Sequence, residues 1–156
     1  MATRAVTFLK QKNIPHQVIR YRHLEKGAAF AAGATGYPIE RTVKTLVAAL
    51  DQESFHLALL PGHRALDLKK LAAVLGARRS ALVDTQIAER LTGYHVGGIS
   101  PFATRRRLPI VMEARILDRE EILINAGQRG VMLKMAPADI ASALDCRVAS
   151  IQGRRV

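Results

Sequence analysis

Thr92-Gly93-Tyr94-His95-Val96-Gly97-Gly98-Ile99-Ser100-Pro101-Phe102 separates a helical pattern from a series of strand patterns, and Arg105-Arg106-Arg107 follows it closely. The three glycines of this segment allow its backbone N–H groups to approach a ligand oxygen closely. The arginine triplet suggests that such a ligand carries phosphates. The same pattern fits a hairpin turn beside a solvated run of charge, and spacing alone leaves both interpretations open.

Start and stop signals for two helices stand before this segment. Asp84 and Gly93 bracket one helical pattern and Asp67 and Gly76 bracket another, because Asp accepts hydrogen bonds from the first turn and Gly ends a helix. Further toward the N-terminus, the sequence predicts a hairpin of Lys44–Leu50 and Phe55–Leu60, a helix from Pro38 to about Val43, a strand His16–Tyr21 and a helix Ala2–Asn13. The Ala- and Gly-rich segment from Gly27 to Pro38 fits a short helix or a mobile loop.

Strand patterns dominate the C-terminal part of the chain. They cover Leu108–Met112, Glu121–Asn125 and Val131–Met135, with a turn at Ala126–Gly130, a helix from Pro137 to about Leu144 and a last strand at Arg147–Ile151. Helices and antiparallel-type strands are interspersed without a regular βαβ repeat. The sequence therefore predicts an α+β fold, with residues 1–156 forming a single domain whose mixed, mostly antiparallel sheet or partly open barrel is flanked by helices.

The chain is strongly basic. Its 156 residues include 24 Lys and Arg against 13 Asp and Glu, which gives a net charge of +11 and a pI near 10.7. This excess favours a polyanionic partner, of which nucleic acid is the commonest. Aromatic residues make up only 4% of the chain, which argues against a surface that stacks the bases of a single strand.

Cysteine usage and hydropathy favour a cytoplasmic protein. Cys146 is the single cysteine, so no internal disulfide can form, as is usual in a reducing compartment. No apolar run approaches the roughly 18 residues that span a bilayer. The N-terminal residues also lack the pattern of a signal peptide. We therefore expect a cytoplasmic location and no membrane partner.

The residues show no motif for metal, nucleotide or nucleophile chemistry. The five histidines never lie three or four residues apart, the glycines lack the Gly-Lys-Ser/Thr ending of a phosphate-binding loop, and no Gly-x-Ser-x-Gly elbow is present. We predict no metal and no cofactor.

Three residues each allow a functional and a structural interpretation. Ser100 is either a nucleophile or the cap of a turn before Pro101, and Cys146 is either a nucleophile or a buried small hydrophobe. Lys44 opens an apolar strand and either faces a site or extends to water. The residue patterns alone favour the structural interpretation of each.

Several different short motifs follow one another in a specific order between residues 43 and 130. They are Val43-Lys44-Thr45-Leu46, Leu66-Asp67-Leu68-Lys69-Lys70-Leu71 with Leu75-Gly76-Ala77, Thr92-Gly93-Tyr94 to Pro101, Arg107-Leu108-Pro109 and Gly127-Gln128-Arg129-Gly130. In this order they resemble the YbaK/EbsC family, freestanding relatives of the editing domain of bacterial prolyl-tRNA synthetases. The resemblance implies the fold of that domain.

The resemblance also implies an enzyme, a trans-editing aminoacyl-tRNA deacylase. Such an enzyme hydrolyses the ester that joins a wrong amino acid to the 3′ adenosine of a tRNA, and Cys-tRNA(Pro) and Ala-tRNA(Pro) are the implied substrates. The implied catalytic residues are Lys44, which would hold the tRNA end, and Gly97. The implied substrate-binding residues are Tyr21, Thr45, Gly98, Ile99, Ser100, Pro101 and Gly130. The implied partners are mischarged tRNA and prolyl-tRNA synthetase; we expect no DNA partner and favour a monomer.

Two hydrolysis routes and two other functions stay open. Either a thiol of the substrate attacks its own ester, or a bound water attacks it with help from backbone groups and the substrate 2′-hydroxyl. Met132 stands where cysteine-specific members carry an Asp after the Arg-Gly pair, so the identity of the amino acid is open. The alternatives are a non-catalytic module that binds tRNA or a synthetase, and a hydrolase of small aminoacyl or nucleotide esters.

Overall fold

A long β-hairpin forms the centre of the computed structural model, which describes residues 2–24 and 28–156. The five α-helices of these residues are α1 Arg4–Gln11, α2 Ala28–Thr35, α3 Leu68–Val74, α4 Thr85–Thr92 and α5 Pro137–Ala143, and 3₁₀ turns cover Ile39–Arg41 and Ala114–Asp118. The strands are β1 Gln17–Arg20, β2 Thr42–Leu50, β3 Ser54–Pro61, β4 Arg64–Leu66, β5 Ser80–Leu82, β6 Ile110–Glu113, β7 Ile122–Gln128, β8 Val131–Met135, β9 Arg147–Ala149 and β10 Gln152–Arg155.

Eight of these strands form one mixed, open sheet. Its order is β1-β8-β7-β2-β3-β6-β9, with β5 added to the edge of β2, while β4 and β10 form a separate two-stranded ribbon. The pairs β2–β7, β3–β6 and β6–β9 are parallel, and the other pairs are antiparallel. The α+β class and the mostly antiparallel mixed sheet are confirmed. The sheet does not close into a barrel.

The central hairpin is confirmed in the predicted place. Strands β2 and β3 pair from Val43–Pro61 to Leu50–Ser54. Asp51 and Gln52 turn the chain with positive φ angles of 52° and 59°. The Asp51 carboxylate also accepts hydrogen bonds from the backbone N–H groups of Arg78 and Arg79, at 3.0 and 2.8 Å, so the turn is tied to the segment that follows α3.

The helix signals of the sequence are confirmed by their caps. The Asp67 side chain accepts a hydrogen bond from the Lys70 N–H at 3.0 Å, and Asp84 accepts one from the Ile87 N–H at 2.8 Å. Gly93 ends α4 with a φ of 76°, in the left-handed region that favours glycine. Side-chain caps of this kind contribute about 1 kcal/mol each.

The core is aliphatic and lies between the sheet and the helices. Helix α1 buries Ala5, Val6 and Leu9 and contacts β7. The largest fully buried side chain, that of Phe102, lies 5.8 Å from the ring of Phe8, centroid to centroid. None of the helices in the described residues is long and apolar enough to cross a membrane.

Two element predictions are wrong, and three strands were not predicted. No helix runs from Pro38 to Val43: only a 3₁₀ turn forms at Ile39–Arg41, because the β-branched Thr42 and Val43 already pair with β7. Strand β7 continues through the predicted turn as far as Gln128, with an irregular register. The strands β4, β5 and β10 are too short to show the alternation of apolar and polar residues that predicts a strand. The Ala-rich segment forms α2 from Ala28 onward, and its predicted start, Gly27, lies outside the described residues.

Candidate active site

The sheet has a gap at one edge of β2. Strand β7 pairs with β2 only at Thr42 and Val43, and β5 pairs with it from Ala48 to Leu50. Between them, Lys44–Val47 has β3 on one side and no described strand on the other. A cavity of about 360 Å³ opens at this gap, which we call the β2 cavity.

Parts of the chain that are distant in sequence line the β2 cavity. The segment 93–102, which we call the glycine loop, closes one side of it. The lining residues are Ala28 and Ala31 of α2, Lys44, Thr45, Leu46 and Val47 of β2, Leu82 of β5, Val83, Thr85 and Ala88 at α4, Val96, Gly97 and Ile99 of the glycine loop, and Asn125 of β7. Most of these side chains are apolar. An apolar cavity with few polar groups is typical of a small-molecule site.

Lys44 brings a positive charge to this apolar cavity. Its side chain is half-buried, and burial lowers the pKa of its ammonium group below the ordinary value. No ion pair among the described residues includes Lys44. A poorly hydrated ammonium group without a carboxylate partner attracts an anionic or strongly polar ligand atom.

Thr45 places a buried hydroxyl group at the same cavity. Its side chain is only 8% exposed, and Oγ1 has no hydrogen-bond partner among the described residues. The Val47 carbonyl accepts a hydrogen bond from the Val83 N–H at 3.1 Å on the gap side of β2. Strand alternation places the backbone groups of Thr45, two residues earlier, on the same edge. Both the hydroxyl and the backbone of Thr45 are therefore available to a ligand.

Glu89 holds the first half of the glycine loop. Its carboxylate accepts a hydrogen bond from the Val96 N–H at 2.8 Å and lies 3.3 Å from Nδ1 of His95. The bond from Val96 is the main cause that lowers the pKa of Glu89 below its ordinary value, so the carboxylate is ionised at neutral pH. This contact fixes the loop to α4.

Asn125 and Arg129 hold the same part of the loop from β7 and its turn. The Asn125 Nδ2 donates to the Gly97 carbonyl at 2.8 Å, and the Arg129 Nε donates to the Val96 carbonyl at 2.8 Å. Both donors fix the carbonyl oxygens of the loop. They therefore determine where its N–H groups point.

Gly98 has no room for a side chain. A Cβ at this position would lie 2.8 Å from the backbone nitrogen of Arg129 and 2.8 Å from the carbonyl carbon of Gln128. Real Cβ atoms do not approach backbone atoms so closely, and backbone cannot rotate away as a flexible side chain can. The glycine is thus required because two backbone segments are packed together here, whereas the sequence suggested that the glycines allow close approach of a ligand.

The predicted site residues fall into two groups. The β2 cavity is lined by Lys44, Thr45, Gly97 and Ile99. Gly98 is not part of this lining and packs against the backbone of Gln128 and Arg129. Ser100 and Pro101 are buried outside the lining, and the Ser100 Oγ accepts a hydrogen bond from the Phe102 N–H at 3.2 Å. That contact is the turn cap that the residue pattern favoured for Ser100.

Tyr21 and Gly130 also lie outside the cavity lining, and they contact each other. The Tyr21 N–H donates to the Gly130 carbonyl at 2.9 Å. The Tyr21 side chain packs against a buried cluster of Ala31, Leu123 and Met132. Because Ala31 also lines the cavity, this cluster supports one wall of it.

The arginine triplet does not stand beside the cavity, contrary to what its place after the glycine loop suggests. None of its side chains lines the cavity. The Arg106 guanidinium lies 5.8 Å from the ring centre of Phe55, which pairs with Ala49 on β2. Ala49 is five strand residues from Lys44, or about 17 Å along β2. Arg106 is therefore remote from Lys44, although it follows the glycine loop closely in sequence.

Cys146 lies apart from the β2 cavity. Its Sγ is 3.8 Å from the Ile140 carbonyl, and burial raises the pKa of the thiol to about 12. A thiol with this pKa is protonated at neutral pH and is a poor nucleophile. The described residues also contain no group of three His, Cys, Asp or Glu side chains that could hold a metal ion.

Sequence reasoning missed Glu89, Asn125 and Arg129, the three residues that anchor the glycine loop. Asn125 had a detectable signal, because an amide in the apolar run Ile122-Leu123-Ile124-Asn125-Ala126 is out of place unless it has a partner. Arg129 lies in the Gly127-Gln128-Arg129-Gly130 motif, which marks the segment but not the contact that Arg129 makes. Glu89 had no signal, since it is an ordinary charged residue of a helix.

Comparison with known proteins gives consistent matches. Residues 24–143 match the family model described as the aminoacyl-tRNA editing domain. The protein named "Putative Cys-tRNA(Pro)/Cys-tRNA(Cys) deacylase EbsC" of Enterococcus faecalis is 29% identical over 96% of this chain and 92% of its own length. The "Multifunctional Ser/Thr-tRNA deacylase ProXp-y" of Escherichia coli K12 is 28% identical over 85% of this chain and 83% of its own length.

A solved structure supports the same fold. The structure titled as that of "a putative trans-editing enzyme for prolyl tRNA synthetase" superposes with a TM-score of 0.87 at 22% sequence identity. The match covers 97% of this chain and 96% of that chain. At this level of identity the likeness concerns the arrangement of helices and strands.

Proposed function

The chain belongs to the aminoacyl-tRNA editing domain family, and from this premise we propose that it is a trans-editing aminoacyl-tRNA deacylase. It hydrolyses the ester between a wrong amino acid and the 3′ adenosine of a tRNA. Cys-tRNA(Pro) and Ala-tRNA(Pro) are the proposed substrates, and the cytoplasm, where translation occurs, is the proposed location. The observation that carries the proposal is the β2 cavity, where the ammonium of Lys44 and the anchored glycine loop line one apolar space. Lys44 has no ion-pair partner among the described residues.

Positioning can account for most of the chemistry. An aminoacyl ester is already activated, so an enzyme gains most by fixing the ester and stabilising the oxyanion that forms on its carbonyl oxygen. The amides of Gly97 and Ile99 donate to no described residue, while Asn125 and Glu89 hold the loop around them. We assign to these amides the stabilisation of the oxyanion, and to Lys44 a contact with a phosphate or ribose oxygen of the terminal nucleotide.

The walls of the cavity favour a small aminoacyl side chain. Val47, Val83, Ala88 and Ile99 present hydrocarbon. The hydroxyl among them is Thr45 Oγ1, which has no hydrogen-bond partner in the part of the chain that the structure describes. A buried unpartnered hydroxyl binds a polar atom of the substrate, such as its amino group, because leaving the hydroxyl unsatisfied costs about 1–3 kcal/mol. The cavity is compatible with attack by a substrate thiol and with attack by water.

The proposed function is tested by measuring the rate of aminoacyl-tRNA deacylation by the wild-type protein and by a variant that removes the charge of Lys44. Wild type, Lys44→Met and Lys44→Arg are assayed on Cys-tRNA(Pro), Ala-tRNA(Pro) and Ser-tRNA at catalytic enzyme concentration. A hydrogen bond to a charged group is worth about 1.5–3 kcal/mol, so we expect kcat/KM of Lys44→Met to fall about 10- to 150-fold, with partial recovery in Lys44→Arg. Lys10→Met, an exposed change on α1, is the matched control.

The same assay decides between the candidate functions. Turnover of one of these substrates supports the deacylase and excludes a module that only binds tRNA. Equal rates for Lys44→Met and wild type would refute the role of Lys44. Hydrolysis of aminoacyl-adenosine at a rate that intact tRNA does not improve would instead identify an esterase for small substrates.

A further inference from the structure

A second concave site lies beside the β4–β10 ribbon and shares no lining residue with the β2 cavity. Two adjoining cavities of about 480 and 460 Å³ share Arg64 of β4, Arg115 of the second 3₁₀ turn and Gln152 of β10. We call these two adjoining cavities the ribbon groove. His63 and Arg119 line one end of the ribbon groove, and Lys70 lines the other.

The ribbon groove carries an excess of positive charge. Among its acidic residues, Glu40 pairs with Arg155 at 3.7 Å and Asp118 pairs with Arg115 at 3.3 Å. The third, Glu113, is fully engaged by backbone, since its carboxylate accepts N–H groups of residues 115, 151 and 152 at 2.7 to 2.9 Å. The cations that remain without an ion-pair partner among the described residues are Arg64, Lys70 and Arg119.

Polar atoms without partners concentrate in this groove. Nδ1 of His63, Nε of Arg64 and Oε1 of Gln152 are buried and have no hydrogen-bond partner among the described residues. The positive surroundings also affect His63, because burial and the neighbouring Arg64, Arg155 and Arg119 lower the pKa of its imidazole more than Glu40 raises it. Gln152 Oε1 can only accept a hydrogen bond, whereas Arg64 Nε is a donor, and Arg64 Nη1 donates to the Gly153 carbonyl at 3.2 Å. The remaining donors of Arg64, beside the Arg119 guanidinium, match the oxygens of a phosphate, which Arg binds in a bidentate manner.

The ribbon groove begins next to the β2 cavity. Pro61, which lines the groove, pairs with Val43, the neighbour of Lys44 in the cavity. Residues that face each other in a sheet are about 5 Å apart, so Pro61 lies about this far from Val43. His63 follows Pro61 by two residues, which span at most about 7 Å. Between the two sites, a Cβ on Gly62 would lie 2.8 Å from the Cβ of Ala28, a cavity residue, so only a thin wall separates them.

We propose that the ribbon groove binds the phosphodiester backbone of the single-stranded RNA end whose terminal aminoacyl ester occupies the β2 cavity. The proposal rests on the proposed function for the occupant of that cavity. The groove lining contains arginines, a lysine and a histidine but no Phe, Tyr or Trp, so it binds phosphates without stacking bases. Recognition through this groove is independent of RNA sequence and is weakened by salt.

The proposal is tested with Arg119→Glu, a charge reversal at an exposed position that does not touch the β2 cavity. The control is Arg78→Glu, an equal charge change at an exposed residue beside the far turn of the hairpin. Binding of uncharged tRNA is measured by fluorescence anisotropy across a range of salt concentrations. Hydrolysis is measured on aminoacyl-tRNA and on aminoacyl-adenosine, which has no phosphodiester.

We expect Arg119→Glu to weaken tRNA binding about tenfold and to reduce the slope of log K against log salt by about 0.7, the value for one lost contact to a single strand. Hydrolysis of aminoacyl-adenosine stays at the wild-type rate, and Arg78→Glu changes neither quantity. Unchanged tRNA affinity and an unchanged salt slope in Arg119→Glu would overturn the proposal. If wild type hydrolyses no aminoacyl-tRNA, the proposed function fails, and the binding measurement still decides whether the groove holds RNA.

Discussion

The hydrogen bond from Asn125 to the glycine loop allows a sharp test of how the site is held. Its Nδ2 donates to the Gly97 carbonyl at 2.8 Å, and a carbonyl oxygen can only accept, so the amide nitrogen must face it. Asn125→Ala removes the donor. Asn125→Asp keeps the shape of the side chain but places a carboxylate oxygen against the carbonyl oxygen.

The magnitudes follow from this geometry. Loss of one partly buried hydrogen bond costs about 1 kcal/mol, so Asn125→Ala should lower kcat/KM about fivefold and Tm by about 2–4 °C. Asn125→Asp adds repulsion between two oxygens at hydrogen-bond distance. A total of about 3 kcal/mol corresponds to a loss of about 150-fold at pH 8.

The two variants respond differently to pH. The facing carbonyl oxygen disfavours the ionised form of the introduced carboxyl and raises its pKa above the ordinary value of about 3.9. Once protonated, this carboxyl donates a hydrogen bond to Gly97 as the amide does. The deacylation rate of Asn125→Asp relative to wild type should therefore rise as the pH falls from 8 to 5, while that of Asn125→Ala stays constant.

Single-turnover deacylation at each pH, with thermal melts at the same pH values, measures both effects. Wild-type kcat/KM in both variants would refute the view that Asn125 positions the loop for catalysis. A pH-independent ratio for Asn125→Asp would show that the introduced carboxyl does not face the Gly97 carbonyl.

Two further predictions concern Met132 and Cys146, which lie outside the cavity lining. Met132 is 1% exposed and packs against Ala31 and Leu123, so Met132→Asp should destabilise the fold by about 3 kcal/mol or more, whereas Met132→Leu should cost under about 1.5 kcal/mol in thermal melts. Burial raises the pKa of the introduced carboxyl, so its destabilisation should grow as the pH rises from 4 to 8; equal melting temperatures for the two variants would contradict this. Cys146, with its thiol pKa of about 12, should react slowly with iodoacetamide at pH 8, and Cys146→Ala should deacylate at the wild-type rate; loss of activity in this variant would show that the thiol takes part.

Local signals accounted for most helices and long strands. Asp67 and Asp84 cap the helices that they predicted, and the apolar runs on either side of Asp51 form the central hairpin. Such signals are readable because a cap or an alternating strand is determined by residues within one turn of each other. The 3₁₀ turn at Ile39–Arg41 was misread as a helix because pairing of Thr42 and Val43 with β7 overrides the preference of Pro38 for a helix start.

The sequence by itself determined most of the element types, the basic charge and the family resemblance, which made Lys44 and the glycine loop candidates for the site. Tertiary structure alone decided that the edge of β2 is left open between β7 and β5, and that Asn125, Glu89 and Arg129 hold the loop there. It also decided that the arginine triplet points elsewhere and that Arg64 and Arg119 share a groove with His63. The physical reason is that these contacts join strands and loops far apart in the chain, and no local pattern of residues specifies which distant segment will be the neighbour.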